Sequence, residues 1–143
     1  MPIAAENRRH YRGPGWKATR TAILARAGDC CERCKAPNRK QIARGSGRDA
    51  GTYMVCDGGA VHDDTTGAAM GWAKGSEYTC EKWPEVVLTI AHLNHVAGDD
   101  RHENLQALCQ QCHNRLDLVH RQANARRTRR RRHGQQELGL GER

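Results

Sequence analysis

Apolar residues along this chain fall into a few short runs set in polar sequence. The first covers residues 16–27, where Trp16, Ile23, Leu24 and Ala27 recur on one side at helical spacing. Gly28 follows directly and suits the left-handed turn that ends a helix. The polar stretch before it, residues 1–15, with Pro2, Gly13, Pro14 and Gly15, reads as a disordered lead. Cys30 to Pro37 is a tight, turn-rich segment. Residues 38–84 show weak patterning and hold a run of glycines from Gly45 to Gly75, which predicts an extended, partly mobile insertion. Within it Thr52–Cys56 reads as a strand and Tyr78–Cys80 as a second, shorter one.

The strongest strand signal is Glu85–Ala91, rich in β-branched residues and preceded by Pro84. A loop, Asn94–Asp99, follows with Gly98 as its turn residue. Asp100-Arg-His-Glu103 has the form of a capping box and predicts a short helix through Asn104, Leu105 and Leu108. From His113 onward Leu116, Val119 and Ala123 sit at helical spacing. That helix is expected to run through an arginine-rich segment and to stop near Gly134.

Composition narrows the picture. The chain has 143 residues, enough for one domain, yet hydrophobic residues make up 37%, aromatics 4%, and there is no Phe. Such a thin apolar supply calls for another source of stability. Mean hydropathy is −0.88 and the longest apolar stretch, Val86–Ala91, is too short to span a bilayer. The N-terminal residues carry no apolar h-region, so a secretory signal peptide is not expected. The formal net charge is +8, and seven arginines in residues 121–132 account for all but one unit of it. Arg121, Arg126, Arg127, Arg129, Arg130, Arg131 and Arg132, with no acid among them, point to a polyanion such as DNA; the plainer reading is a solvated helix face.

Seven cysteines in a chain without an export signal read better as metal ligands than as disulfides. Cys31-Glu-Arg-Cys34 and Cys109-Gln-Gln-Cys112 each leave two residues between thiols, the spacing that places two sulfurs on one tetrahedral ion. Together Cys31, Cys34, Cys109 and Cys112 predict a closed, structural Zn²⁺ site that pins residues 35–108 at their base. Such a site can supply roughly 10–16 kcal/mol of apparent folding energy. Cys30 could replace Cys31, but only Cys31 keeps the two-residue spacing; Cys56 and Cys80 read as small core residues or spare thiols.

Between and around the second pair runs His92-Leu-Asn-His95, then Asn104-Leu-Gln-Ala-Leu-Cys109-Gln-Gln-Cys112-His113. A histidine ends a strand, an asparagine follows twelve residues later, and a second histidine lies nine residues beyond, directly after the cysteine pair. These residues resemble the HNH endonuclease family of ββα-metal nucleases, in the form often carried by bacteriophages. The match is close over residues 86–118 and weak over 16–37.

The resemblance implies a small α+β, zinc-stabilised ββα-metal fold. It would comprise a nuclease domain over residues 16–120 with an insertion at 38–84, then an Arg-rich helical extension and frayed tail over 121–143. It implies hydrolysis of DNA phosphodiester bonds, by nicking or cutting, with one catalytic divalent ion (Mg²⁺, Mn²⁺, Ni²⁺ or Zn²⁺). Phosphodiester hydrolysis needs a base for water, a divalent ion at the scissile phosphate and a group for the leaving oxygen. By resemblance His92 is the base, Asn104 fixes the loop and orients it, and His113 is a metal ligand. Asp117, four residues on, could join His113 as an i, i+4 clamp.

The family usually has Asp or His just before the base, where this chain has Ala91. His95 could supply the missing ligand or exchange roles with His92. Implied partners are DNA, with no membrane, and phage DNA-packaging or replication proteins, in the cytoplasm of a host. Ala91 also admits a second reading, a catalytically inactive zinc-dependent DNA-binding module. An RNA-binding zinc protein is a third, weakened by the lack of an aromatic stacking platform. His10, His62, His102, His120 and His133 read as surface residues, and Gln135–Leu140, loosely similar to sliding-clamp peptides, reads as a frayed end.

Overall fold

The structure, a computed structural model, describes residues 3–140. It is a mixed α+β arrangement that divides into two compact units, one ending at His113 and one beginning at Asn114. Among the described residues no helix is long and apolar enough to cross a membrane.

In the first unit, residues read from sequence as a disordered lead instead form a 3-10 helix at Ala5–Tyr11. Helix α1, Pro14–Arg26, follows with proline in its first turn, where its missing N–H costs nothing. The helix ends as its sequence requires. Gly28 adopts φ +65°, its N–H donates to the Ala25 carbonyl, and the Asp29 N–H donates to Leu24. That pair of bonds is a Schellman stop. Ile23 is the fully buried residue of α1, which packs against the strand at Leu105–Leu108.

The glycine-rich insertion folds into a sheet, which corrects the expectation of an extended segment. It forms an antiparallel meander, β1 (Ile42–Arg44), β2 (Thr52–Val55), β3 (Ala60–Asp63) and β4 (Ala69–Trp72), with strands in that spatial order. Glycines serve as its turns: Gly51, Gly58, Gly59 and Gly67 all have positive φ. Ile42, Ala43, Tyr53 and Met54 are buried, so a small apolar supply suffices for so short a sheet. Ala43, Met54 and Tyr78 make a compact cluster, with Cys56 and Cys80 packed against it as core thiols. Tyr78–Cys80 is not a strand; Cys80 makes a single bridge to Gly45.

The second sheet is the hairpin of β5 (Thr89–His92) and β6 (Leu105–Leu108), registered Thr89 to Leu108 and His92 to Leu105. Residues 85–88, expected within the strand, instead bond the segment before β1, with Val86 and Arg39–Lys40 exchanging backbone hydrogen bonds. The helix expected from Asp100 through Leu108 is replaced by one 3-10 turn, His102–Asn104, and then β6. Arg101 precedes that turn without a side-chain cap. Leu105, Ala107 and Leu108 are buried in extended form against β5, and this long-range pairing overrides the local capping signal.

Helix α2, Gln110–Leu140, begins three residues before His113 and continues past Gly134, correcting the expected stop there. A glycine inside a helix costs only about 1 kcal/mol relative to alanine, which strong helix formers on either side offset. The second unit lies on this helix. The frayed end expected after Gln135 falls within it up to Leu140, and residues 141–143 lie outside the described residues.

Gly67, in the β3–β4 turn, abuts the first cysteine pair. A Cβ there would fall 2.7 Å from the Cys34 carbonyl oxygen and 2.5 Å from Lys35 Cγ, at φ +76°. Gly67→Ala should therefore destabilise the fold by about 1–3 kcal/mol through overpacking and backbone strain, read as a lowered urea midpoint with unchanged m-value.

Candidate metal centre and histidine site

The two Cys-x-x-Cys segments meet because two elements bring them together. Cys31 and Cys34 lie in a turn closed by the Cys31 N–H to Ala36 and the Lys35 N–H to Cys31. Cys109 and Cys112 lie at the junction of β6 and α2. Glu32 locks one segment to the other: its N–H donates to the Ala107 carbonyl at 2.9 Å, and its carboxylate accepts from the Ala107 N–H at 2.7 Å. Arg26 completes the clamp, pairing with Glu32 at 2.9 Å and donating to the carbonyls of His102 and Leu105.

The donor atoms of Cys31, Cys34, Cys109 and Cys112 all lie within 4.8 Å of one another, and all four residues are buried. Four buried cysteines so placed could hold a structural metal such as zinc. Cys30 stands outside the set, half-buried and bridged to Pro37, so spacing alone identified the right member of the Cys30–Cys31 pair. Hydrogen bonding among the sulfurs splits their acidities. It pulls Cys31 down through Cys109 and Cys109 down to about 6 through Cys112, and pushes Cys34 and Cys112 up through Cys109. A divalent ion relieves this crowding by taking the place of the protons.

The surroundings fit such an ion. Arg44 Nη2, from β1, donates to Cys109 Sγ at 3.6 Å, and Arg44 Nη1 is buried with no hydrogen-bond partner among the described residues. A zinc tetrathiolate carries two net negative charges, which a neighbouring guanidinium offsets. Tyr53, from β2, donates its hydroxyl to the Cys34 carbonyl at 2.6 Å. Burial pushes the Tyr53 hydroxyl pKa up, keeping it a donor. Neither residue was singled out in the sequence, because nothing local relates the insertion to the cysteine pairs.

The histidines sit on the β5–β6 hairpin and its exit. His92 ends β5 and is buried, its side chain 5% exposed. Its Nε2 meets Asp100 Oδ1 at 2.9 Å and its Nδ1 meets the Tyr11 hydroxyl at 3.4 Å. Trp16 stacks on the ring, 5.8 Å between centroids and 14° between planes, and Tyr11 meets it edge-on. Asn104, also buried, clasps the connecting loop. Its Nδ2 donates to the Asp99 carbonyl at 2.8 Å and to Asn94 Oδ1 at 3.0 Å, and its Oδ1 accepts from the Asn94 N–H at 3.2 Å. Arg101 pairs with Asp99 in the same loop and holds the Asp99 carboxyl down at about 2.

His113 is half-buried, in the first turn of α2, with Nδ1 2.6 Å from the Thr89 hydroxyl. His95 is half-buried in the loop with φ +58°, its N–H bonded to the His92 carbonyl. Asp117 falls on α2 in the second unit. The structure does not gather His92, His95 and His113 as it gathers the cysteines. Among the described residues, the cysteines are the group of three or more candidate ligands with donor atoms so close together. His102, His120 and His133 are exposed, while His62 stacks on Tyr53 at 5.3 Å and bonds the Gly67 carbonyl. On α2, Arg121 bonds the Asn114 carbonyl and residues 126–132 are exposed.

Sequence reading missed Tyr11, Trp16, Asp100 and Thr89 as neighbours of the histidines. Asp100 carried a signal, an acid between the turn glycine and Asn104, but it read as a helix cap. Tyr11 and Trp16 carried none.

Replacing Cys109 with serine should abolish zinc binding and unfold the first unit, because three thiolates no longer close the tetrahedral site. Cys56→Ser should leave zinc content at one ion per chain and shift the thermal midpoint only slightly; elemental analysis and calorimetry of both variants check this. Comparison of the chain with family models, with curated proteins and with solved structures finds no match among any of them.

Proposed function

We propose that this chain is a metal-dependent endonuclease of the HNH kind, hydrolysing DNA phosphodiester bonds. One observation carries the reading: strand, loop, strand and helix follow one another as β5, residues 93–104, β6 and α2, with His92 ending the first strand, Asn104 clasping the loop and His113 opening the helix. The cysteine cluster lies at the β6–α2 junction, one residue before His113, and would hold that corner still.

In this reading His92 takes the proton from the attacking water at Nδ1, where that water displaces the Tyr11 hydroxyl, since Nε2 is engaged by Asp100. A bound divalent ion supplies charge neutralisation at the scissile phosphate. His113 would meet that ion through Nε2, its Nδ1 being held by Thr89, and His95 is the other candidate ligand on the hairpin. Asn104 keeps the loop in one conformation so that the base stays placed. The exposed arginines of α2 suit the phosphate backbone and carry no sequence information of their own.

A second reading, a DNA-binding module without catalysis, is favoured by two features. Ala91 stands where a ligand is expected, and His92 is covered by Tyr11 and Trp16.

His92→Ala should keep its fold, zinc and DNA affinity while nicking of supercoiled DNA with Mg²⁺, Mn²⁺ or Ni²⁺ falls by about a hundredfold to ten-thousandfold. A wild-type chain inert with all three ions would leave the binding-module reading in place. Truncation after Ala125 removes six of the seven arginines in residues 121–132. It should weaken binding to all DNA sequences alike and flatten the slope of log affinity against log salt by about 3, as a helix shows only part of its circumference to the backbone. Isotherms at several salt concentrations measure it, and an unchanged slope would mean the arginines are a solvated extension.

A further inference from the structure

Asp100 and His92 form a pair whose geometry has a definite chemical consequence. A carboxylate only accepts hydrogen bonds, so the 2.9 Å contact between Asp100 Oδ1 and His92 Nε2 requires a proton on Nε2. In neutral imidazole the other nitrogen, Nδ1, then carries the lone pair. Nδ1 faces the Tyr11 hydroxyl, and burial together with the nearby Asp100 charge pushes the Tyr11 pKa up. Tyr11 therefore stays protonated and donates to the nitrogen that Asp100 leaves bare. The contacts from opposite sides of the ring agree on one tautomer.

The placement of Asp100 is itself constrained. Asn104 donates to the carbonyl of Asp99, the adjacent residue, and exchanges hydrogen bonds with Asn94. Asn94 in turn donates to Asp99 Oδ2 at 2.7 Å, and Arg101 binds the same carboxylate. Residues 94–101 are thus clasped on both sides of Asp100. Trp16 meanwhile stacks on the imidazole and Tyr11 meets it edge-on.

We propose that Asp100 is a positioning residue that holds His92 in the Nε2–H tautomer and leaves the lone pair on Nδ1, which serves as the base when water takes the place of the Tyr11 hydroxyl. The proposal rests on the nuclease reading for its catalytic part; the tautomer itself does not depend on that reading.

The test has two arms on the zinc-loaded 143-residue chain. In the first, long-range ¹H–¹⁵N correlation spectra of histidine-labelled protein without DNA report the His92 tautomer. The wild type should show Nε2–H, and Asp100→Asn, whose amide can donate to Nε2, should move His92 toward Nδ1–H at unchanged zinc content. Asp100→Glu should restore the wild-type tautomer at least in part. In the second arm, plasmid nicking with Mn²⁺ should show Asp100→Asn losing about a hundredfold or more in kcat with KM unchanged, as expected for a base held in the wrong tautomer. Nδ1–H in the wild type, or an Asp100→Asn variant that keeps the wild-type tautomer, would overturn the proposal. So would an inverted tautomer with undiminished cleavage. A wild-type chain inert toward DNA would instead sink the nuclease reading, with the spectra still deciding the Asp100–His92 pair.

Discussion

Four cysteine sulfurs lie within 4.8 Å of one another although residues 35–108 separate the two pairs in sequence. Everything near the candidate site is registered from that point. The first pair is bound to β6 through Glu32, the second pair ends β6 and begins α2, and the insertion reaches the cluster through Arg44 and Tyr53. With 37% hydrophobic residues and no Phe, the apolar interior is small. A metal ion at this centre would contribute cross-linking that burial alone cannot, since small domains with thin cores commonly depend on such staples.

The hairpin beside the cluster uses a different kind of constraint. Its connecting loop, residues 93–104, is long enough to wander, yet Asn104, Asn94, Asp99 and Arg101 close it with mutually satisfied hydrogen bonds. Asn104 is the buried member of this network, and breaking its bonds would strand its amide away from water. The network orders the loop that carries Asp100 to His92. The imidazole is then enclosed by a carboxylate, a hydroxyl and two aromatic rings drawn from three separate segments.

Expectation and outcome diverged where long-range pairing competed with local signals. Residues 100–108 carry a capping-box pattern, yet Leu105, Ala107 and Leu108 gain more by pairing with β5 and becoming buried. The glycines of the insertion read as an extended, partly mobile stretch, but at positive φ between short strands they make a meander. Gly134 reads as a stop and lies within α2. For residues 100–108 the deciding neighbour is a strand that no local window contains, whereas at Gly134 the flanking helix formers decide.

What the sequence determined by itself was local chemistry with fixed spacing. Two residues between paired cysteines place two sulfurs on one center, so Cys31, Cys34, Cys109 and Cys112 were legible in advance, as were α1 with its Gly28 stop and the strand at Thr52–Val55. What only the tertiary structure decided was which groups meet across the chain: Arg44 at Cys109, Thr89 at His113, and Asp100, Tyr11 and Trp16 around His92. Spacing constrains neighbours along the backbone, where geometry is set by a few dihedral angles. Contacts between distant segments depend on sheet register and side-chain packing, which emerge only when the whole chain has folded.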